Sequence, residues 1–149
     1  MPRFRPILAA LALVATASTA CSRPPSTMEV EFIPSPIPGA VFASAVRVGN
    51  LLFLSGQIGT DSAGRLVAGG VEPETRRALE NIRDVLARSG SSMDRVVKCT
   101  VMMADMREWP AMNGVYATFF PGHKPARSAF GTTGLALGAR VEIECIAAA

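Results

Sequence analysis

Apolar residues recur along this chain with two different spacings, and the spacing separates strands from helices. Residues 41–48 and 51–54 are apolar runs on either side of Gly49-Asn50, a turn pair, so they read as a β-hairpin. Ser55-Gly56-Gln57 ends the second strand on a glycine, a position where backbone can come close to a ligand. Asp61-Ser62-Ala63-Gly64 is a further turn, followed by Leu66-Val67 as a short edge piece. Residues 72–88 then switch to helical spacing. Ala78, Leu79, Ile82, Val85 and Leu86 form one stripe, and Arg76, Arg77, Glu80, Arg83, Asp84 and Arg88 mostly take the other face. Pro73 suits the first turn of that helix and Gly90 its C-terminal cap. Residues 96–103 return to alternation, with Val97, Cys99, Val101 and Met103 expected on one side. A second helix starts near Trp109, with Pro110 in its first turn, and ends near Phe120; Met112, Val115, Tyr116 and Phe119 make its buried side. Strands at 126–132 and 140–147 complete the chain.

The order is β-β-α-β-α-β-β, an α+β arrangement. Two helices cover only one face of a sheet this size. The other face carries Glu142 and Glu144 among apolar strands, and such a face is usually buried by another subunit.

The N-terminus follows a different logic. Arg3 and Arg5 precede an apolar run over residues 7–17, too short to span a bilayer and proportioned like the core of a signal peptide. The expected division is a signal peptide over 1–20, a lipidated Cys21 with a proline-rich tether over 21–33, and a folded domain over 34–149. Ala20-Cys21 resembles a bacterial lipobox, although Ser18 stands where Leu is usual. Cleavage after Ala17 or Ala20, giving an unlipidated exported protein, is the alternative. A lipid would be the only membrane contact the domain needs. The chain of 149 residues is about half apolar, enough for one domain with a real core. Its net charge of +3 falls when Arg3 and Arg5 are removed, leaving 13 basic against 12 acidic residues. No polybasic footprint for nucleic acid remains.

Two charged residues stand out in the strands. Arg127 lies in His123-Lys124-Pro125-Ala126-Arg127-Ser128, and Glu142 in Val141-Glu142-Ile143-Glu144. Charges on rigid strands are costly without partners. A guanidinium fork matches a substrate carboxylate, and a carboxylate can steer a water, so the pair points to a site for a small anionic molecule. A structural ion pair is the plainer alternative. Cys99 and Cys145 fall among apolar strand residues. Pairing needs their Cα atoms within about 7 Å; the simpler expectation is two small buried hydrophobes. One His and three Cys without ligand spacing give no zinc site.

Four stretches together resemble the reactive intermediate deaminase family of RidA/YjgF type: Arg47-Val48-Gly49-Asn50 with Leu54-Ser55-Gly56-Gln57-Ile58; Glu74-Thr75-Arg76-Arg77-Ala78-Leu79-Glu80-Asn81-Ile82; His123 to Ser128; and Val141 to Glu144. The resemblance runs from about Pro34 to the end. It implies a chorismate-mutase-like α+β fold, a mixed sheet with two helices on one face. It also implies homotrimers whose sheets form a central barrel with clefts between subunits. The implied reaction is hydrolysis of small 2-imino acids, formed from enamines, to 2-keto acids and ammonia, with no cofactor or metal. Arg127 matches the carboxylate-binding arginine and Glu142 the water-positioning glutamate. Gly56 matches a backbone contact to substrate, and Asn113 a cleft asparagine. Phe42 stands where the family usually has a Tyr, so a ring is kept and a hydroxyl lost. Ala129, followed by Phe130, stands where a Cys or another small residue often follows the Arg-Ser pair.

The expectation is therefore an imine deaminase at the cell envelope. The alternative is a non-catalytic or differently specific periplasmic binder of small carboxylates, such as keto acids; it draws on Phe42 and on the leader. Ribonuclease chemistry is not expected, since His123 is the lone histidine and no basic groove is evident.

Overall fold

The computed structural model describes residues 28–149. The leader expected over 1–20, the lipidation expected at Cys21 and the start of the tether lie outside the described residues.

The strands and helices are β1 (Val30–Ile33), β2 (Ala45–Val48), β3 (Leu51–Leu54), β4 (Gln57–Ile58), α1 (Val71–Arg88), β5 (Val96–Met103), α2 (Trp109–Thr118), β6 (Ala126–Gly131) and β7 (Val141–Ala148). The seven strands form one sheet in the order β1-β2-β3-β7-β5-β6, with β4 also paired to β7. All neighbours are antiparallel except β5 and β6, which are parallel and joined by the α2 crossover.

The expected order holds, with two added strands. Val30–Ile33, expected as tether, has three residues of good strand propensity, Val30, Phe32 and Ile33, and pairs with β2 ahead of the prolines. The second strand begins at Ala45 rather than 41, because residues 41–44 bend away from the sheet. β4 has only two residues, too few to carry a period. It continues β3 along β7: Phe53 pairs with Ile146 and Gln57 with Ile143. Three residues, Leu54 to Gly56, thus stand against two, a bulge that redirects the strand at Ser55-Gly56.

The helices cover one face. Leu79, Ile82 and Leu86 of α1 and Met112 and Tyr116 of α2 pack over Val101, Met103, Val141 and Ile143. α1 ends where Gly90 takes φ 74° and Ser91 N–H donates to Leu86 O, a left-handed cap. A register shift between Val96 and Lys98 gives β5 one extra residue. Val96 therefore faces inward and Val97 outward, the reverse of the simple alternation expected.

Cys99 and Cys145 are not separate small hydrophobes: they form a disulfide, with Cα atoms 4.1 Å apart. They are directly opposed in the β5–β7 ladder, and that register, invisible in the sequence, is what brings them together.

The face away from the helices is open. Its central row runs Phe32, Val46, Phe53, Ile146 and Lys98 across five strands, and Phe130 adds a further exposed ring.

Candidate functional site

Glu142 sits on the open face, where β7 passes β4. It pairs with Ile58 on one side and Met102 on the other. A cleft of about 570 Å³ opens over it. The sheet supplies the floor through Ser55, Gly56, Gln57, Ile58 and Glu142; loops supply walls through Ile37, Phe42, Ala136 and Leu137. Gly56 is glycine for a steric reason. A Cβ there would overlap Glu142 Oε1 and come within 3.0 Å of its carboxyl carbon. The backbone thus passes beside the carboxylate with no side chain between.

Hydrogen bonds hold this floor against its wall. Ser55 N–H donates to Ser44 O (3.0 Å) and Ser55 Oγ donates to Ala43 O (2.7 Å). The segment carrying Phe42 is thereby tied to the bulge. Gln57 Nε2 donates to the carbonyls of Ser55 and Gly56, both at 3.1 Å, which fixes the bulge itself.

Arg127 belongs to a second cluster. It lies on the edge strand β6, in register with Cys99, and points to the helix side. Its guanidinium stacks over the Tyr116 ring at 4.6 Å and the Trp109 ring at 5.6 Å. Trp109, Asn113 and Tyr116 are spaced to share one side of α2, and Ala129 shares the Arg127 side of β6. Among the described residues, no salt bridge engages Arg76, Arg83, Arg88, Arg95 or Arg127, and of these Arg127 is the one stacked on aromatic rings. A seated guanidinium without a carboxylate can receive an anion. Tyr116 Oη is buried without a hydrogen-bond partner, and burial pushes the phenol up to about 12, partly offset by the Arg127 charge.

The two clusters do not meet within one chain. Arg127 aligns with Cys99 and Glu142 with Met102, three residues further along β5 and on its other side. An odd step puts the side chains on opposite faces, with Cα atoms about 14 Å apart. Gly56 and Phe42 join Glu142; Asn113 and Ala129 lie with Arg127. The aromatic seat of Arg127 and the Ile37/Leu137 wall were not foreseen. The seat had a signal, since Trp109 and Tyr116 are seven apart on one helix; the wall had none.

The sequence model of the family described as Endoribonuclease L-PSP matches residues 32–149. The chain is 44% identical over 107 residues to the mouse protein named 2-iminobutanoate/2-iminopropanoate deaminase, covering 71% of this chain and 79% of that one. The crystal structure of the yeast protein YEO7 superposes with a TM-score of 0.77 at 39% identity, over 80% of this chain and 98% of that one. That of E. coli TdcF with bound serine gives a TM-score of 0.71 at 29% identity, over 82% and 97%.

Proposed function

Because this chain belongs to the endoribonuclease L-PSP family, to which the RidA/YjgF proteins belong, we propose that it hydrolyses small 2-imino acids to 2-keto acids and ammonia. We propose further that each site is built by two copies of the chain. The observation that carries this reading is the Glu142 carboxylate held bare against Gly56 in an open cleft. Curated relatives carrying the imine deaminase name support it, as does the bound serine of TdcF, a small α-carboxylate.

Members of this family are generally homotrimers. In such an assembly the open sheet face is covered, and Arg127 of one copy can complete the Glu142 cleft of the next. The guanidinium grips the substrate carboxylate in a bidentate manner and draws electron density from the adjoining imine carbon. Glu142 accepts a proton from water as its oxygen bonds to that carbon. The proton passes to nitrogen, giving a tetrahedral amino alcohol. The hydroxyl proton then takes the same route as the C–N bond breaks, leaving a carbonyl and ammonia. Alignment of carboxylate, carbon and water does most of the work. Gly56 and Asn113 contribute contacts to the bound acid, and Ala129 leaves room beside the guanidinium.

Arg127→Ala and Glu142→Gln are each expected to abolish turnover of freshly generated 2-iminopropanoate. Denatured together and refolded as mixed trimers, they should recover about one quarter of the wild-type rate, because one site in four receives both intact residues. Recovery of nothing from well-assembled mixtures overturns the shared site.

Phe42 favours a second reading, a binder of small carboxylates. Arg127-dependent binding of 2-keto acids with no imine turnover would select it. For location we propose the cell envelope. The leader over 1–20 supports export, Cys21 supports a lipid anchor, and the Cys99–Cys145 disulfide suits an oxidising compartment. Labelling with a fatty acid that disappears in Cys21→Ser tests the anchor.

A further inference from the structure

We infer that the apolar wall formed by Ile37, Phe42 and Leu137 receives the substrate's side chain, and that the preferred 2-imino acids carry branched or aromatic groups rather than one or two carbons. The inference rests on the deaminase reading, since it takes Glu142 as the reacting end of the cleft.

An imine carbon bears three substituents: nitrogen, carboxylate and side chain. Glu142 serves the nitrogen and a guanidinium the carboxylate, so the side chain meets what is left. Beside the sheet floor that is the apolar wall, drawn from the loop before β2 and the turn before β7. Ile37, Phe42 and Leu137 are 59%, 51% and 69% exposed. On the single chain, three large apolar side chains around one cleft form a patch rather than scatter.

Leu137 adds an independent sign. With φ 58° and ψ 12° it is the one non-glycine at positive φ among the described residues. A left-handed leucine is strained, and glycine would relieve it, as Gly138 does next door at φ 74°. The turn keeps a costly side chain at the mouth of the cleft.

The test uses imino acids generated in place from L-alanine, L-leucine and L-phenylalanine by an amino-acid oxidase. For the wild-type protein, kcat/KM with the leucine- and phenylalanine-derived substrates should exceed that with the alanine-derived one by about tenfold or more, since each buried methylene is worth roughly fourfold. Leu137→Asn and Leu137→Gly both accept the left-handed backbone and should cut that ratio about fivefold or more. Calorimetry with 4-methyl-2-oxopentanoate and pyruvate gives the same comparison without turnover. A wild-type ratio near one, a ratio that neither variant moves, or variants that lose only their assembly overturn the inference. If no imino acid turns over but the keto-acid preference is present and falls in the variants, the wall reading stands and the deaminase reading fails.

Discussion

Glu142 and Gly56 act as one unit, so a methyl group on the second should disable the first. The Cβ of Gly56→Ala meets the free end of a flexible side chain, which can swing aside. The fold should lose about 1 kcal/mol or less, while a displaced carboxylate costs on the order of 100-fold in kcat. Thermal melting together with steady-state rates separates the two. Equal losses of stability and activity would mean that Gly56 is merely packing. Tyr116 offers a second separation. Its buried phenol lacks a partner, so Tyr116→Phe should stabilise the chain by about 1 kcal/mol, while the ring that seats Arg127 is kept. The phenol is raised from 10.0 to about 12, so the fold favours its neutral form. That contribution is full below pH 10 and is lost as pH climbs from 10 to 12. In Tyr116→Phe this alkaline decline should vanish from a urea-stability profile. Arg127 and Glu142 stood out in the sequence because each is a charge on an apolar strand. Their opposite facing did not. It depends on an odd step counted along β5, which belongs to neither residue's own segment.

Elements were legible wherever they were long enough to hold a period. α1 shows five apolar positions in one stripe, and its sequence limits differ from the observed ones by a single residue. β1 was lost because it directly precedes three prolines, and β4 because two residues have no periodicity. The disulfide was missed for want of register, and it makes a direct prediction. It joins β5 to β7 across 46 residues of sequence. Replacing both cysteines, Cys99→Ala with Cys145→Ala, should cost about 2–4 kcal/mol in guanidinium unfolding. Unchanged stability would mean that the two strands hold each other without the bond. The seam between β4 and α1 is tighter still. A Cβ on Gly59 would lie 2.6 Å from Glu74 Cα and 2.7 Å from its carbonyl oxygen. Backbone cannot swing aside, so Gly59→Ala should move α1 and lower stability by about 1–3 kcal/mol. It should do so with a small effect on KM, in contrast to Gly56→Ala.

Assembly is where sequence and single-chain structure both point outward. The uncovered face was expected from two helices serving one sheet, and the structure leaves Phe53 near its middle, 41% exposed. Phe53 lies on the row that runs from Phe32 to Lys98 and does not line the Glu142 cleft. A carboxylate there faces water in a lone chain but is buried without a partner in a trimer, once in each copy. Phe53→Asp should therefore leave the helical circular dichroism intact and yield a monomer by analytical ultracentrifugation. Turnover of 2-imino acids should fall at least about 100-fold, because Arg127 and Glu142 stand on opposite faces of any single sheet. Raising the protein concentration should restore assembly and rate in parallel, and a carboxylate on the exposed outer face of α1, at Arg83, should change neither. A Phe53→Asp monomer with wild-type kcat/KM would show that one copy holds a complete site, and the shared-cleft mechanism would have to be abandoned.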